Sequence, residues 1–519
     1  FQRVSPMDVS PFNSKVVYYG SQYLHRTTDG GVTWTTISPD LTAFPPNGQE
    51  ASGEPITRDA TGEETYSTLY SIRESSKQKG LIWTGSNDGL IFVTRDDGKT
   101  WTNVTPKDLP PGGRVQNIEP SPHRPGTAYA AIYRYLLGDF QPYLYRTDDF
   151  GKSWTKLVNG FGKDEPIRVV REDPDRAKLL YAGSEFGIYV SFNDGANWQP
   201  FQLNLPVTPI TDIKLTHKDL VLSTQGRSDW ILDNLTPLHQ IDAKLATASA
   251  QFYKPREAYR IPGRQTGANR ALQYPASGAQ IDYYLASAPA GDVTLEILDA
   301  AGKTVRTFSS AFGTERVAGG GEAIVDEEGG FRAPPLPTKL ARTAGMHRFV
   351  WDLKYPGPWV NAQRPEGPNG PVAVPGAYSV RFTSGDYTAA QPLTIIEDPR
   401  VTSDGVTTAH LREQFEHNIK ARDLVSKVNK AVARLREAQK TKKDPDTLTK
   451  LDKLAARMIT PTIRYSKPEI QTHIQYLYGM TSSADQKIGK DAVERYEVLR
   501  KELDRDITDL IELIGPEPR

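Results

Sequence analysis

The sequence predicts a multidomain, mainly β protein. A partial β-propeller comes first, an Ig- or fibronectin-like β-sandwich follows, and C-terminal α-helical hairpins close the chain. Three observations carry that expectation. A turn motif, Ser/Thr-x-Asp-x-Gly-x-Thr/Ser-Trp, recurs through residues 1–240. Strand-like alternation of apolar residues resumes from Ile281, and beyond Asp398-Pro399 the apolar period lengthens to that of a helix.

The motif copies run from Thr27 to Trp34, Thr94 to Trp101, Thr147 to Trp154 and Ser191 to Trp198, with tryptophan intervals of 67, 53 and 44 residues. Such intervals suit propeller blades with loop insertions. In each copy a strand ends in a tight turn. The Asp carboxylate accepts backbone N–H groups across it, Gly takes the dihedral that a Cβ disfavours, and Trp packs between sheets. The residues given this structural role are Asp29, Trp34, Asp96, Trp101, Asp149, Trp154, Asn193 and Trp198. Second strands are expected at 16–20, 81–85 and 179–183, and first strands at 68–72, 115–118, 167–170 and 210–215. A fifth copy, at 220–224 and 230–233, keeps its strands and loses the Asp turn. About five blades in 1–240 make an incomplete ring, and a small closed five-bladed ring is the alternative. The chain opens at Phe1 without a leader, inside text that already reads as ordered. The expectation is therefore that further blades precede it, in the same precursor or a separate chain.

Residues 241–270 read as a linker and 271–398 as the sandwich, in which Val293, Leu295 and Ile297, then Tyr378, Val380 and Phe382, give inward faces. A long Gly-, Glu- and Pro-rich loop is expected near 313–337. In the tail, 399–519, Leu411, Phe415, Val425, Val428, Val432 and Leu435 mark one helix. Asp446 is the expected cap of a second, and Ser466-Lys467-Pro468-Glu469 reads as a capping box for a third. A last helix carries Tyr496, Leu499, Leu503, Ile507, Leu510 and Ile514 before Gly515-Pro516 stops it.

Composition narrows the function. Lys plus Arg and Asp plus Glu both number 63, so no basic excess supports nucleic-acid binding. The 24% charged and 37% hydrophobic fractions suit a folded protein, and no apolar run is long enough to span a membrane. With no Cys, disulfides, thiolate metal sites and Cys nucleophiles are all excluded.

The Asp turns resemble the Asp-box (BNR) repeats of sialidases, sortilin-type propellers and bacterial xyloglucanases. The text from Tyr181 to Ser191, Gln225 to Asp233, His347 to Asp352 and Val374 to Tyr378 extends the likeness. In order and content it resembles the C-terminal half of large exported bacterial BNR-repeat proteins, sortilin-like or VPS10-like, with a FlgD-like Ig module and helical tail. That resemblance implies export to the periplasm, cell surface or medium of a bacterium, and implies architecture better than activity.

The repetition of the Asp-box carboxylates argues for structure over catalysis. A sialidase-like site would draw on Arg134, Arg168 and Arg227 with Tyr133 and Glu185, but their spacing matches no signature. A xyloglucanase-like site needs two carboxylates across a cleft. His410 and His417, seven apart in the helical tail, and His473 read as surface or interhelix side chains, so no metal is expected, and no phosphate loop or nucleophile elbow calls for a cofactor. Superposing the blades gathers Gln22, Tyr23, Asn87, Asp88, Tyr133, Arg134, Glu185, Arg227, Asp229 and Trp230 on one face, a polar and aromatic ring suited to recognition. The reading that follows is a non-enzymatic exported binding or scaffold protein recognising protein or carbohydrate. A glycoside hydrolase, with a cleft shared with preceding blades, and a structural envelope component are the alternatives. The expected partners are that preceding segment, a carbohydrate, and a second copy or an envelope complex through the tail.

Overall fold

A computed structural model describes residues 5–46, 66–261, 277–313, 338–363 and 365–516, with the backbone of 324–325 and 331–332. The chain divides into two compact units, Phe1–His239 and Gln240–Arg519. The coarse expectation of a β-rich, multidomain chain with long C-terminal helices holds.

The first unit is a series of antiparallel sheets, each wound in sequence order. The first holds β1 (Met7–Val9), β2 (Val17–Gly20), β3 (Leu24–Thr27) and β4 (Thr35–Thr36). The second holds β5 (Leu69–Glu74), β6 (Ile82–Ser86), β7 (Ile91–Thr94) and β8 (Thr102–Asn103). The third holds β9 (Arg114–Pro120), β10 (Ala128–Tyr133), β11 (Leu144–Thr147) and β12 (Thr155–Lys156). The fourth holds β13 (Ile167–Glu172), β14 (Leu180–Ser184), β15 (Ile188–Ser191) and β16 (Gln199–Pro200). The fifth has three strands, β17 (Ile210–Thr216), β18 (Asp219–Thr224) and β19 (Asp229–Leu232), and a short helix α1 (Thr236–Gln240) follows.

Consecutive sheets bury apolar faces against each other. Trp83 and Ile91 of the second share a core with Val115 and Ile118 of the third. Leu144 of the third joins Val170 and Leu180 of the fourth, and Tyr181 of the fourth joins Ile213 and Leu222 of the fifth. The middle sheets are thus covered on both sides, and β6, β10 and β14 are buried at every residue. Such strands lose the two-residue alternation and read as continuous apolar runs.

In the second unit, β20 (Ala250–Phe252) and β21 (Ala258–Tyr259) come from the segment expected as a linker and add edges to two sheets. Those sheets are completed by β22 (Ala279–Leu285), β23 (Val293–Leu298), β24 (Thr304–Ser309), β27 (Gly345–Trp351), β28 (Gly376–Ser384) and β29 (Tyr387–Ile396). Between β24 and β27 lies a small hairpin, β25 (Ile324–Val325) with β26 (Phe331–Arg332). The rest of the loop expected at 313–337 falls almost wholly outside the described residues. The three-stranded sheet β20-β22-β27 and the five-stranded sheet β21-β29-β28-β23-β24 share one core. Phe252 and Phe382 stack there at 5.3 Å, with Tyr283 at 4.8 Å from Phe382.

The tail holds α2 (Pro399–Ser403), α3 (Thr408–Thr441), α4 (Pro445–Met458), α5 (Ile470–Ser482) and α6 (Lys490–Ile514). Leu424, Val428, Leu435, Leu454, Ile474, Leu499 and Leu503 meet in one core. Two expected caps are corrected. Asp444, not Asp446, caps α4 through the Thr447 N–H, because Pro445 takes the first helical position. The Ser466 hydroxyl turns back to the Ile463 carbonyl, and α5 starts after Glu469 with no side-chain cap. Among the described residues no helix is long and apolar enough to cross a membrane.

Candidate functional site

Four of the five sheets share an irregularity in the first strand. The β5–β6 register jumps from Leu69↔Ser86 to Ser71↔Gly85 and leaves Tyr70 unmatched. The same kind of jump frees Gln116 in β9, Arg168 in β13 and Thr211 in β17. A bulge breaks the strand alternation and re-aims one side chain. All four residues line a cavity of about 230 Å³ that also takes in Met7, Arg73, Asn117, Arg171 and Asp212, so every sheet contributes. Charges pair between sheets around it: Arg73 with Asp8 at 2.9 Å, and Arg171 with Asp212 at 2.6 Å and Glu119 at 3.3 Å. Burial pushes the Asp8 and Glu119 carboxyls above the ordinary carboxylate range.

Arg168 links this cavity to the loops beyond the second strands. Tyr133 ends β10, Glu185 follows β14 and Gln225 follows β18. The Tyr133 hydroxyl donates to Glu185 Oε1 at 2.8 Å, and Arg168 Nε donates to the same oxygen. Arg168 Nη2 donates to the Tyr133 oxygen and to Gln225 Oε1, both at 3.2 Å, and the guanidinium lies 4.9 Å from the Tyr133 ring centroid. Burial, reinforced by the bond to Glu185, pushes the Tyr133 hydroxyl up. It is therefore a neutral donor, not a nucleophile, at ordinary pH.

An aromatic shelf adjoins this cluster. Tyr135 stacks on Tyr133 at 5.6 Å and 14°, and Phe140 meets Tyr135 edge-on at 5.1 Å. Tyr135 and Phe140 are about two-fifths exposed. A second carboxyl, Glu165, is buried beside Glu185 and accepts from the Ser184 hydroxyl. Burial raises its proton affinity and the Glu185 charge adds to that.

The other residues that the sequence gathers on one face are either engaged with their own surroundings or exposed. Gln22 bonds Asp40 at 2.8 Å, and Tyr23 is exposed. Asp88 is buried, accepting the N–H groups of Ala43 and Phe44 and the Ser86 hydroxyl. Asn87 accepts from Arg114 Nε at 2.7 Å. Arg134 clamps the carbonyls of Pro110, Pro111 and Gly112 and pairs with Asp139. Arg227 and Asp229 are exposed, and the Trp230 indole donates to the Arg227 carbonyl. Sequence reasoning missed Gln225, Glu165 and Phe140. Alignment of the second-strand ends could have found Gln225, and the aromatic density of 133–140 could have found Phe140. Nothing local distinguishes Glu165.

The Asp-turn side chains stay at their turns. Asp149 Oδ1 accepts the Ser153 N–H and the Thr147 hydroxyl, and Oδ2 the Ser153 hydroxyl. Asp29 and Asp96 do likewise, and Asn193 accepts the Asn197 N–H and the Ser191 hydroxyl. Asp173, Asp175 and His239 lie close enough to share an ion. The Asp173 oxygens are already engaged, by the N–H groups of Asp175 and Arg176 and by His239 at 2.9 Å.

No protein-family profile matches the chain. A curated oligoxyloglucan-reducing end-specific xyloglucanase of Emericella nidulans is 29% identical over 129 residues, 24% of this chain and 15% of that protein. Among solved structures, the GH74 xyloglucanase from Xanthomonas campestris superposes on 44% of this chain and 36% of its own, at 16% identity and a TM-score of 0.34. A GH74 enzyme of Niastella koreensis covers 76% and 57%, at 13% and 0.33. PorZ, a surface component of the type-IX secretion system of Porphyromonas gingivalis, covers 75% and 51%, at 13% and 0.33. The match thus spans only a small part of its curated relative. It nevertheless corrects two expectations. The sequence kinship runs to a xyloglucanase and not to exported sortilin-like or VPS10-like Asp-box proteins. The non-enzymatic binding or scaffold role is withdrawn with that kinship, because the relative is an enzyme.

Proposed function

We propose that residues 5–239 carry part of the glycan site of a glycoside hydrolase acting on xyloglucan-type β-glucan outside the cell. In this reading the sheets are propeller blades, residues 271–398 are an Ig-like sandwich, and further blades complete the cleft. The observation that carries the proposal is the pair of neighbouring carboxyls beside the aromatic shelf, one of them clamped and the other with its proton affinity raised by burial. The 129-residue likeness to a xyloglucanase supports it.

Tyr135 and Phe140 offer flat faces to a pyranose ring. Glu185, held by Tyr133 and Arg168, is the carboxylate that meets the sugar, while Glu165 supplies a proton. Tyr133 and Arg168 are positioning residues. The test is release of reducing sugar from xyloglucan oligosaccharides by the full chain, alone and with any preceding segment. Glu185→Gln should lower turnover by about 10²- to 10⁴-fold while leaving binding intact, the usual worth of a positioned acid or base. Tyr135→Ala should weaken binding instead. Turnover unaffected by Glu185→Gln would refute the assignment.

A further inference from the structure

We infer that the outer face of the first sheet, around Trp34, is a docking surface for one more four-stranded Asp-turn sheet, carried by polypeptide outside the described residues. The inference is independent of the site at Glu185 and rests on a contact that the chain makes three times and leaves open once.

Each later turn reaches the sheet before it. The Trp101 indole donates to the Ile37 carbonyl at 2.9 Å, Trp154 to Val104 at 2.6 Å and Trp198 to Leu157 at 3.1 Å. Each acceptor lies three residues beyond the preceding sheet's own turn tryptophan. Trp34 instead donates to the Gly31 carbonyl of its own turn, at 3.2 Å, and is 45% exposed against 5% for Trp198.

The turn glycines repeat the pattern. A Cβ on Gly98 would lie 2.8 Å from the Ile37 carbonyl oxygen, one on Gly151 2.6 Å from Val104 Cβ, and one on Gly195 2.5 Å from Leu157 Cδ1. Around Gly31, the equivalent residue, there is open space. Burial agrees. Strands β6, β10 and β14 are covered on both faces, whereas β2 alternates, and Val9 and Val32 are 51% and 81% exposed. An apolar face with an under-used indole donor is what this interface leaves when its neighbour is absent.

The same register identifies the occupant. It must present a carbonyl and a branched aliphatic side chain after its fourth strand, as Ile37, Val104 and Leu157 do. Within this chain those three positions are taken. The fourth, Phe201, packs against the fifth sheet, which has neither an Asp turn nor a fourth strand. A second copy therefore has no free group of this kind to offer, and a further sheet of the same repeat does.

Oxidative footprinting read by mass spectrometry tests this, with Trp198 as the internal standard for a covered indole. In the chain as it stands, Trp34 should oxidise readily and Trp198 should not. In a chain extended by a duplicate of its own residues 66–113 ahead of Phe1, Trp34 should fall to the Trp198 level. Should the extended chain not fold, thermal melts of the unextended one still decide. Trp34→Ala should leave its Tm unchanged, while Trp154→Ala lowers it. Three results would overturn the inference: a folded extended chain with Trp34 still open, a Tm lost equally in both variants, or protection of Trp34 in the unextended chain. Such protection means cover from within the chain if it is independent of concentration, and cover by a second copy if it rises with concentration.

Discussion

Asp149 uses both carboxylate oxygens within the seven residues from Thr147 to Ser153, so its role is decided locally. Asn193 holds the equivalent turn with one amide oxygen. Asp149→Asn should therefore leave stability nearly unchanged. Asp149→Ala should cost about 1 kcal/mol by urea denaturation, near the net worth of a hydrogen bond, because water replaces the lost partners at this exposed turn. Glu165 behaves oppositely. Burial raises its pKa above 4.5, so ionising it at neutral pH opposes folding. Glu165→Gln keeps an acceptor for the Ser184 hydroxyl and removes that burden. The variant should melt above the parent at pH 8, and the gap should close as the pH falls through the raised pKa toward 4, where the parent carboxyl is protonated. Its turnover should be lost at every pH, because an amide donates no proton.

At the scale of elements, the bulges matter most for the site. Arg168 reaches Glu185 because β13 carries an extra residue that breaks its pairing with β14. Two-residue alternation alone would give its side chain a regular place on one sheet face. The sequence names Arg168 alongside Tyr133 and Glu185, but the contact that joins the three depends on this bulge. In the tail, the stripe on α6 is fully legible, and Leu499, Leu503 and Leu510 are all buried. Leu503→Ala should cost about 2 to 5 kcal/mol, the usual range for a fully buried leucine. The loss should appear as helical signal disappearing at lower urea by circular dichroism. An unchanged midpoint would mean that the helix core forms without this contact.

For the whole molecule, the acid limb of stability should belong to the Asp turns. Hydrogen bonds from Thr100 and Thr94 hold Asp96 down to about 2, and those from Thr33 and Thr27 hold Asp29 well below its ordinary 3.8. A carboxyl that binds its proton less readily in the folded state stabilises the fold above the ordinary range. That contribution is lost as the pH falls from about 4 through about 2. The β signal should fade over that window in an acid titration. In a variant carrying Asp29→Asn and Asp96→Asn the loss should be shallower.

By itself the sequence determined what depends on near neighbours. That includes the four turns, the strands beside them, the order of β-rich and helical parts, and the helical stripes from Leu411 to Ile514. These features are set by hydrogen bonds spanning four residues or by short apolar periods, so they are written in contiguous text. Only the tertiary structure decided which residues share a site. Arg168, Tyr133, Glu185 and Gln225 come from three sheets, and bulges and matched strand ends bring them together. Glu165 gains its raised proton affinity chiefly from burial, with the Glu185 charge adding to it. It also decided that Asp88 and Arg134, which read as binding groups, are absorbed into loop hydrogen bonds. The physical reason is range. A turn closes on itself, whereas a site closes only when sheets far apart in sequence have packed.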